Sequence, residues 1–158
     1  MMNMKRGQSQ FMSIGVIFSI IIIIFIFAIS IYVVTKFINI GKCADIALFK
    51  DDLQEKINTA WSSEIVDDEF TGKLPNGIEA VCLGKENPVT ATREYASLKD
   101  YTRYDGNLFF YPPESTCDQP YTTIEHIETG SFRCFPVVKN EVSFRIEKGS
   151  FDDIVKIG

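Results

Sequence analysis

The sequence predicts an α+β protein: an N-terminal transmembrane helix, then a small disulfide-bonded domain of one helix packed on an antiparallel β-sheet. Three observations carry this. Phe11 to Val34 is a run of 24 residues without a charge. Ala44 to Ser62 repeats its apolar residues at helical spacing. Beyond Gly72 the texture changes to short alternating segments separated by Gly and Pro. A helix followed by strands is the order of an α+β domain.

The apolar run comes first. At a rise of about 1.5 Å per residue it covers roughly 36 Å as a helix, enough to cross a hydrocarbon core of about 30 Å with some tilt. Its centre, Ile20 to Phe27, has no polar side chain to form a second face. A helix that is apolar all round must be buried, and a chain of 158 residues has little core in which to hide one. The run exceeds the apolar core of a cleaved secretory signal, about 7–15 residues. Ala28-Ile29-Ser30 loosely matches a cleavage site, but Ile31 to Val34 continue the apolar sequence. An uncleaved anchor, or a leader cut ahead of the run, fits better. The expected organisation is therefore a basic segment over 1–10, a transmembrane helix over 11–36 and a single domain over 37–158.

Charge sets the expected orientation. Lys5 and Arg6 precede the span, and no acid does, which favours a cytoplasmic N-terminus. Lys36 and Lys42 follow the span and weaken the contrast. All 21 acidic residues lie beyond the span, and of the 16 basic ones only Lys5, Arg6 and Lys36 lie before residue 37, so the distal domain carries about −8. So acidic a surface has no electrostatic case for nucleic acid or anionic lipid.

The four cysteines, Cys43, Cys82, Cys117 and Cys134, all lie in the distal domain. An even number in a small exported domain points to disulfides. The expected pairs are Cys117–Cys134, closing a short loop, and Cys43–Cys82, tying the segment after the span to the body of the domain. A zinc site brings cysteines in pairs a few residues apart, and here no two are closer than 17 positions. No metal or other cofactor is expected.

Within the domain, Ile46, Phe49, Leu53, Ile57, Ala60 and Trp61 recur every three or four residues and mark the buried face of a helix. Gly41 either bends the chain ahead of it or lies inside one long helix. Leu74-Pro75-Asn76-Gly77 reads as a turn. Strands are expected at Ile78–Leu83, Asn107–Tyr111, Phe132–Phe135, Val142–Ile146 and Ile154–Ile157, the last two as a hairpin. Glu94 to Lys99 reads as a helical turn or a loop.

Candidate chemistry is sparse. His126 is the only histidine. If its segment is a strand, it shares a face with Ile124 and Glu128, and Glu125 or Glu128 could tune it as a base or pH switch. No nucleophile signature, phosphate loop or zinc-protease motif accompanies it, so the chain is expected not to be an enzyme. Asp67-Asp68-Glu69 offers carboxylates to a hard cation, but reads better as a solvated acidic loop. Tyr95, Tyr101, Tyr104, Tyr111 and Tyr121 crowd the middle of the domain, either as core filling or as a contact patch.

Met4-Lys5-Arg6-Gly7-Gln8-Ser9-Gln10, directly ahead of the apolar run, resembles the class III leader of archaeal type IV pilin-like proteins. The resemblance covers roughly the first 35 residues. It implies that a prepilin-type membrane peptidase cuts between Gly7 and Gln8, with Lys5 and Arg6 as the basic pair before the cut. It further implies a long first helix whose second half packs on a sheet, and copies that associate through their apolar helices into a surface filament or membrane complex. At the fifth mature position, where these proteins commonly carry Glu, this chain has Met12. The expected partners are the lipid bilayer, further copies of the chain and that peptidase. A plain membrane-anchored binding module is the alternative.

Overall fold

A computed structural model describes residues 8–85, 88, 92–128 and 130–158, with the backbone alone for 8–13 and Asn39. The chain divides into two compact units, one ending at Ile40 and one comprising Gly41–Gly158.

The first unit is the start of helix α1 (Gln8–Trp61). Every described side chain from Ile14 to Ile40 is exposed, and this part of α1 is long and apolar enough to cross a membrane. The hydroxyls of Ser19, Ser30 and Thr35 turn back onto their own helix. Ser19 Oγ donates to the Gly15 carbonyl at 2.9 Å, Ser30 Oγ to that of Ile26 at 2.7 Å and Thr35 Oγ1 to that of Tyr32 at 2.8 Å. These three hydroxyls are thereby paired within the helix, where an unpaired one facing lipid would be costly. The Lys36 ammonium lies 5.8 Å from the centre of the Tyr32 ring, a basic and an aromatic residue together where the apolar stretch ends.

The second unit is an α+β domain. Gly41 lies inside α1. Around the rest of α1, Ile46, Phe49, Leu53, Ile57 and Ala60 are buried as their spacing predicts. Trp61, expected on the same face, is 42% exposed. The strands form two antiparallel sheets rather than one. The first joins β1 (Val66–Lys73), β6 (Glu141–Lys148) and β7 (Lys156–Ile157) in the order β1-β6-β7. The second joins β2 (Ala80–Leu83), β3 (Leu108–Tyr111), β4 (Tyr121–Thr122) and β5 (Arg133–Pro136) in the order β4-β3-β2-β5. The expected terminal hairpin is present, with Ile146 opposite Ile157.

Both sheets share the α1 core. Phe49 meets Phe70 of β1 at 5.7 Å and Phe110 of β3 at 5.8 Å, each edge to face. The chain passes from the second sheet to the first through the turn at Lys139 and Asn140, both at positive φ, with Val138 bridged to Glu141. Beside this crossing Phe135 and Phe144 pack at 5.0 Å.

The second sheet is buried on both faces. Val81, Leu83, Leu108 and Phe110 face the α1 core. Ala80, Cys82, Phe109 and Tyr111 belong to a second cluster with Phe132 and Leu98. Leu98 comes from α2 (Arg93–Leu98), the short helix that resolves the ambiguous 94–99 segment. Its N-cap, Thr92, accepts a hydrogen bond from the Tyr95 N–H at 3.2 Å.

β1 is a strand where its acidic residues predict a solvated loop. Asp67-Asp68-Glu69 lies within it, paired with β6 along its length from Val66–Lys148 to Lys73–Glu141. Carboxylates are depleted in strands, which hid the alternation carried by Val66, Phe70 and Gly72.

Candidate functional site

The structure treats the leader, the cysteines, His126, the acidic trio and the tyrosines each differently. The leader comes first. Gln8 opens α1, while Lys5, Arg6 and Gly7 lie outside the described residues.

The cysteines are all paired, but not as expected. The bonds are Cys43–Cys117 and Cys82–Cys134, replacing Cys117–Cys134 and Cys43–Cys82. Strand register is the reason: β2 and β5 are neighbours, and Cys82 stands directly opposite Cys134. Cys43 is left to join Cys117, which ties the first turn of α1 within the domain to the loop after β3. Lys50 reinforces that junction by donating to Gln119 Oε1 at 3.0 Å, its ammonium 5.7 Å from the centre of the Phe110 ring. Partial burial there pushes the Lys50 pKa below its ordinary value, against the opposing pull of Asp51.

His126 sits in a turn at φ +65°, not in a strand. Its ring stacks flat on Trp61, centroids 3.9 Å apart, and Nδ1 lies 3.2 Å from Asn58 Oδ1. Among the described residues it has no carboxylate partner. The same stretch of α1 clamps the turn: Gln54 Oε1 accepts from the Glu125 N–H at 2.9 Å, and Gln54 Nε2 donates to Asn58 Oδ1 at 2.9 Å. Lys148 Nζ donates to the carbonyls of Trp61 and Ser63, satisfying the open end of α1. These contacts position a turn against a helix end, and they bring no nucleophile to the imidazole.

The acidic trio is split by strand alternation. Asp67 accepts both Arg145 Nε and Nη2, at 2.6 and 2.5 Å. Asp68, on the other side of β1, pairs with Lys56 of α1. Hydrogen bonding to Arg145 holds the Asp67 carboxyl below its ordinary pKa, and hydrogen bonding to Lys56 does the same for Asp68. No group of three metal-ligating side chains converges among the described residues.

The tyrosines mostly fill the second cluster. Tyr111 is buried within it, and Tyr95, Tyr101 and Tyr121 pack against that cluster. Tyr104 stacks on Tyr121 at 5.4 Å and is 56% exposed.

A recess of about 710 Å³ lies between α1 and the β1–β6 end, its walls carrying Asp45 and Asp52 on one side and Lys73 and Lys139 on the other. It holds charge of both signs over Leu48 and Phe49, with no cysteine, serine or histidine in its lining.

A feature the sequence reading passed over is Phe151, which is 98% exposed. Its signal was an aromatic set between turn formers, Gly149-Ser150 and Asp152-Asp153. No family model, curated protein or solved structure matches the chain.

Proposed function

We propose that the chain is a non-enzymatic, single-pass structural subunit of the membrane, pilin-like in its organisation. In this reading the N-terminus is cytoplasmic and the disulfide-bonded domain extracytoplasmic. The observation that carries it is α1 itself. Its first part offers exposed and predominantly apolar side chains to its surroundings, and its last part is the central element of the domain core. A helix of this kind anchors a folded domain and provides an apolar surface on which copies pack. The two disulfides support the outward side. The environment of His126, held by Asn58 and Trp61, supports a role other than catalysis.

The test is the intact mass of the chain from its native membrane. A chain beginning at Gln8, with Gly7→Val blocking that processing, supports the pilin-like subunit. A chain that retains Lys5, Arg6 and Gly7 overturns leader cleavage and leaves the anchored binding module. That second reading draws its own support from the exposed Phe151 turn.

A further inference from the structure

Phe151 is held out on a braced turn. The Gly149 N–H donates to Asp152 Oδ2 at 3.0 Å, and the Asp152 N–H donates to the Gly149 carbonyl at 3.1 Å. Asp152 Oδ1 in turn accepts from Lys156 Nζ at 3.0 Å. Three bonds thus order four residues whose one large side chain contributes nothing to the core. The turn is not isolated. The β1–β6 register, Val66 opposite Lys148, brings Ile65 beside its start. Trp61 Nε1 donates to the Asp153 carbonyl at 3.0 Å and brings the indole to its end. Ile65 is 68% exposed and Ile154 40%. Four exposed apolar residues, Trp61, Ile65, Phe151 and Ile154, thus lie on segments that meet at the end of α1, and such exposed groupings, rich in aromatics, mark contact surfaces.

The border of the patch selects the occupant. Glu64 and Asp153 are exposed and form no ion pair among the described residues. Of the nearby cations, Lys156 is paired with Asp152, while Lys148 keeps its charge as it donates to the helix-end carbonyls. Glu64 and Asp153 outnumber it, so the net charge around the patch is negative. A second copy of the same end would set Glu64 and Asp153 against their own kind, and anionic lipid would meet the same repulsion.

We propose that this end of the domain docks a protein partner through a basic-rimmed apolar pocket, with Phe151 as the inserted anchor and Trp61 covered on binding. The proposal goes beyond the subunit reading and holds whether or not the leader is cut, so the two fail independently.

Trp61 is the only tryptophan in the chain, so its emission reports on the patch. The full chain in phosphatidylcholine nanodiscs is panned with a displayed library of random dodecapeptides, using Phe151→Asp as counter-selection. The expected peptides carry an apolar centre flanked by Lys or Arg, shift Trp61 emission to the blue and weaken with added salt. Phe151→Ala, which removes no core contact, loses their binding at least tenfold, and Leu48→Ala, exposed elsewhere on α1, retains it. No enriched peptide, peptides without basic flanks, or binding indifferent to Phe151→Ala overturns the proposal. So does self-association abolished by Phe151→Asp, or a Trp61 shift produced by phosphatidylglycerol vesicles alone.

Discussion

At Gly72 the domain has no room for a side chain. A Cβ there would clash with Cε2 of Phe49 and lie 2.5 Å from its Cδ2 and 2.8 Å from Cε1 of Phe70. Glycine lets β1 approach α1 closely enough for those rings to meet. Gly72→Ala forces them apart, and overpacking of this kind costs about 1–3 kcal/mol. A lower thermal midpoint of the full chain, followed by near-ultraviolet circular dichroism, checks it. Asn107 acts by hydrogen bonding instead. Its buried Nδ2 donates to the Ile124 carbonyl at 2.8 Å, and its Oδ1 accepts from the Ile124 N–H at 2.7 Å. The side chain continues the β3–β4 ladder past Thr122 and secures the segment leading to His126. Asn107→Ala leaves both backbone groups buried without a partner, a loss of about 1–3 kcal/mol. Faster amide exchange at Ile124 than in the parent is the specific sign.

β1 shows how an element can resist a sequence reading and still be well specified. It is an edge strand, and charged residues on an edge discourage pairing with other chains. Asp67 is matched by Arg145 on β6 and Asp68 by Lys56 on α1. Both carboxyls titrate below the ordinary value of 3.8 in the folded chain. The unfolded chain therefore binds more protons as the pH falls, and stability rises with pH in that range. The contribution is present above pH 3.8 and is lost as the pH drops through the lower folded values. Because these groups are exposed, the effect is modest and screened by salt. Thermal midpoints measured between pH 5 and pH 2 (roughly the span over which such carboxyls protonate) fall more steeply for the parent than for Asp67→Asn. High salt brings the two curves together.

Over the whole domain, the disulfides bind together parts that are distant in the chain. They span sequence separations of 74 and 52 residues. In the chain-entropy account each, taken alone, restricts the unfolded chain by roughly 4 kcal/mol. A non-reducing peptide map yields Cys43 linked to Cys117 and Cys82 linked to Cys134. Cys82 of β2 is fully buried and its partner Cys134 half-buried, whereas both Cys43 and Cys117 are half-buried. Mild reductant followed by alkylation therefore labels Cys43 and Cys117 first. Labelling that begins at Cys82 overturns this order.

What was legible in the chain was whatever depends on neighbours in sequence. The apolar length of Phe11 to Val34, the stripe from Ile46 to Ala60 and the alternation of Val142 to Ile146 each follow from the geometry of one element. So does the turn at Asn76-Gly77, where Gly77 takes φ +105°. Tertiary structure decided what depends on which elements meet. The pairing of β2 with both β3 and β5 chose the disulfides and buried the second sheet on both faces. The end of α1 drew His126 onto Trp61 and left Phe151 on an outward turn. Contacts between parts distant in the chain leave no periodic trace in either partner, because each residue records its own burial and not the identity of what buries it.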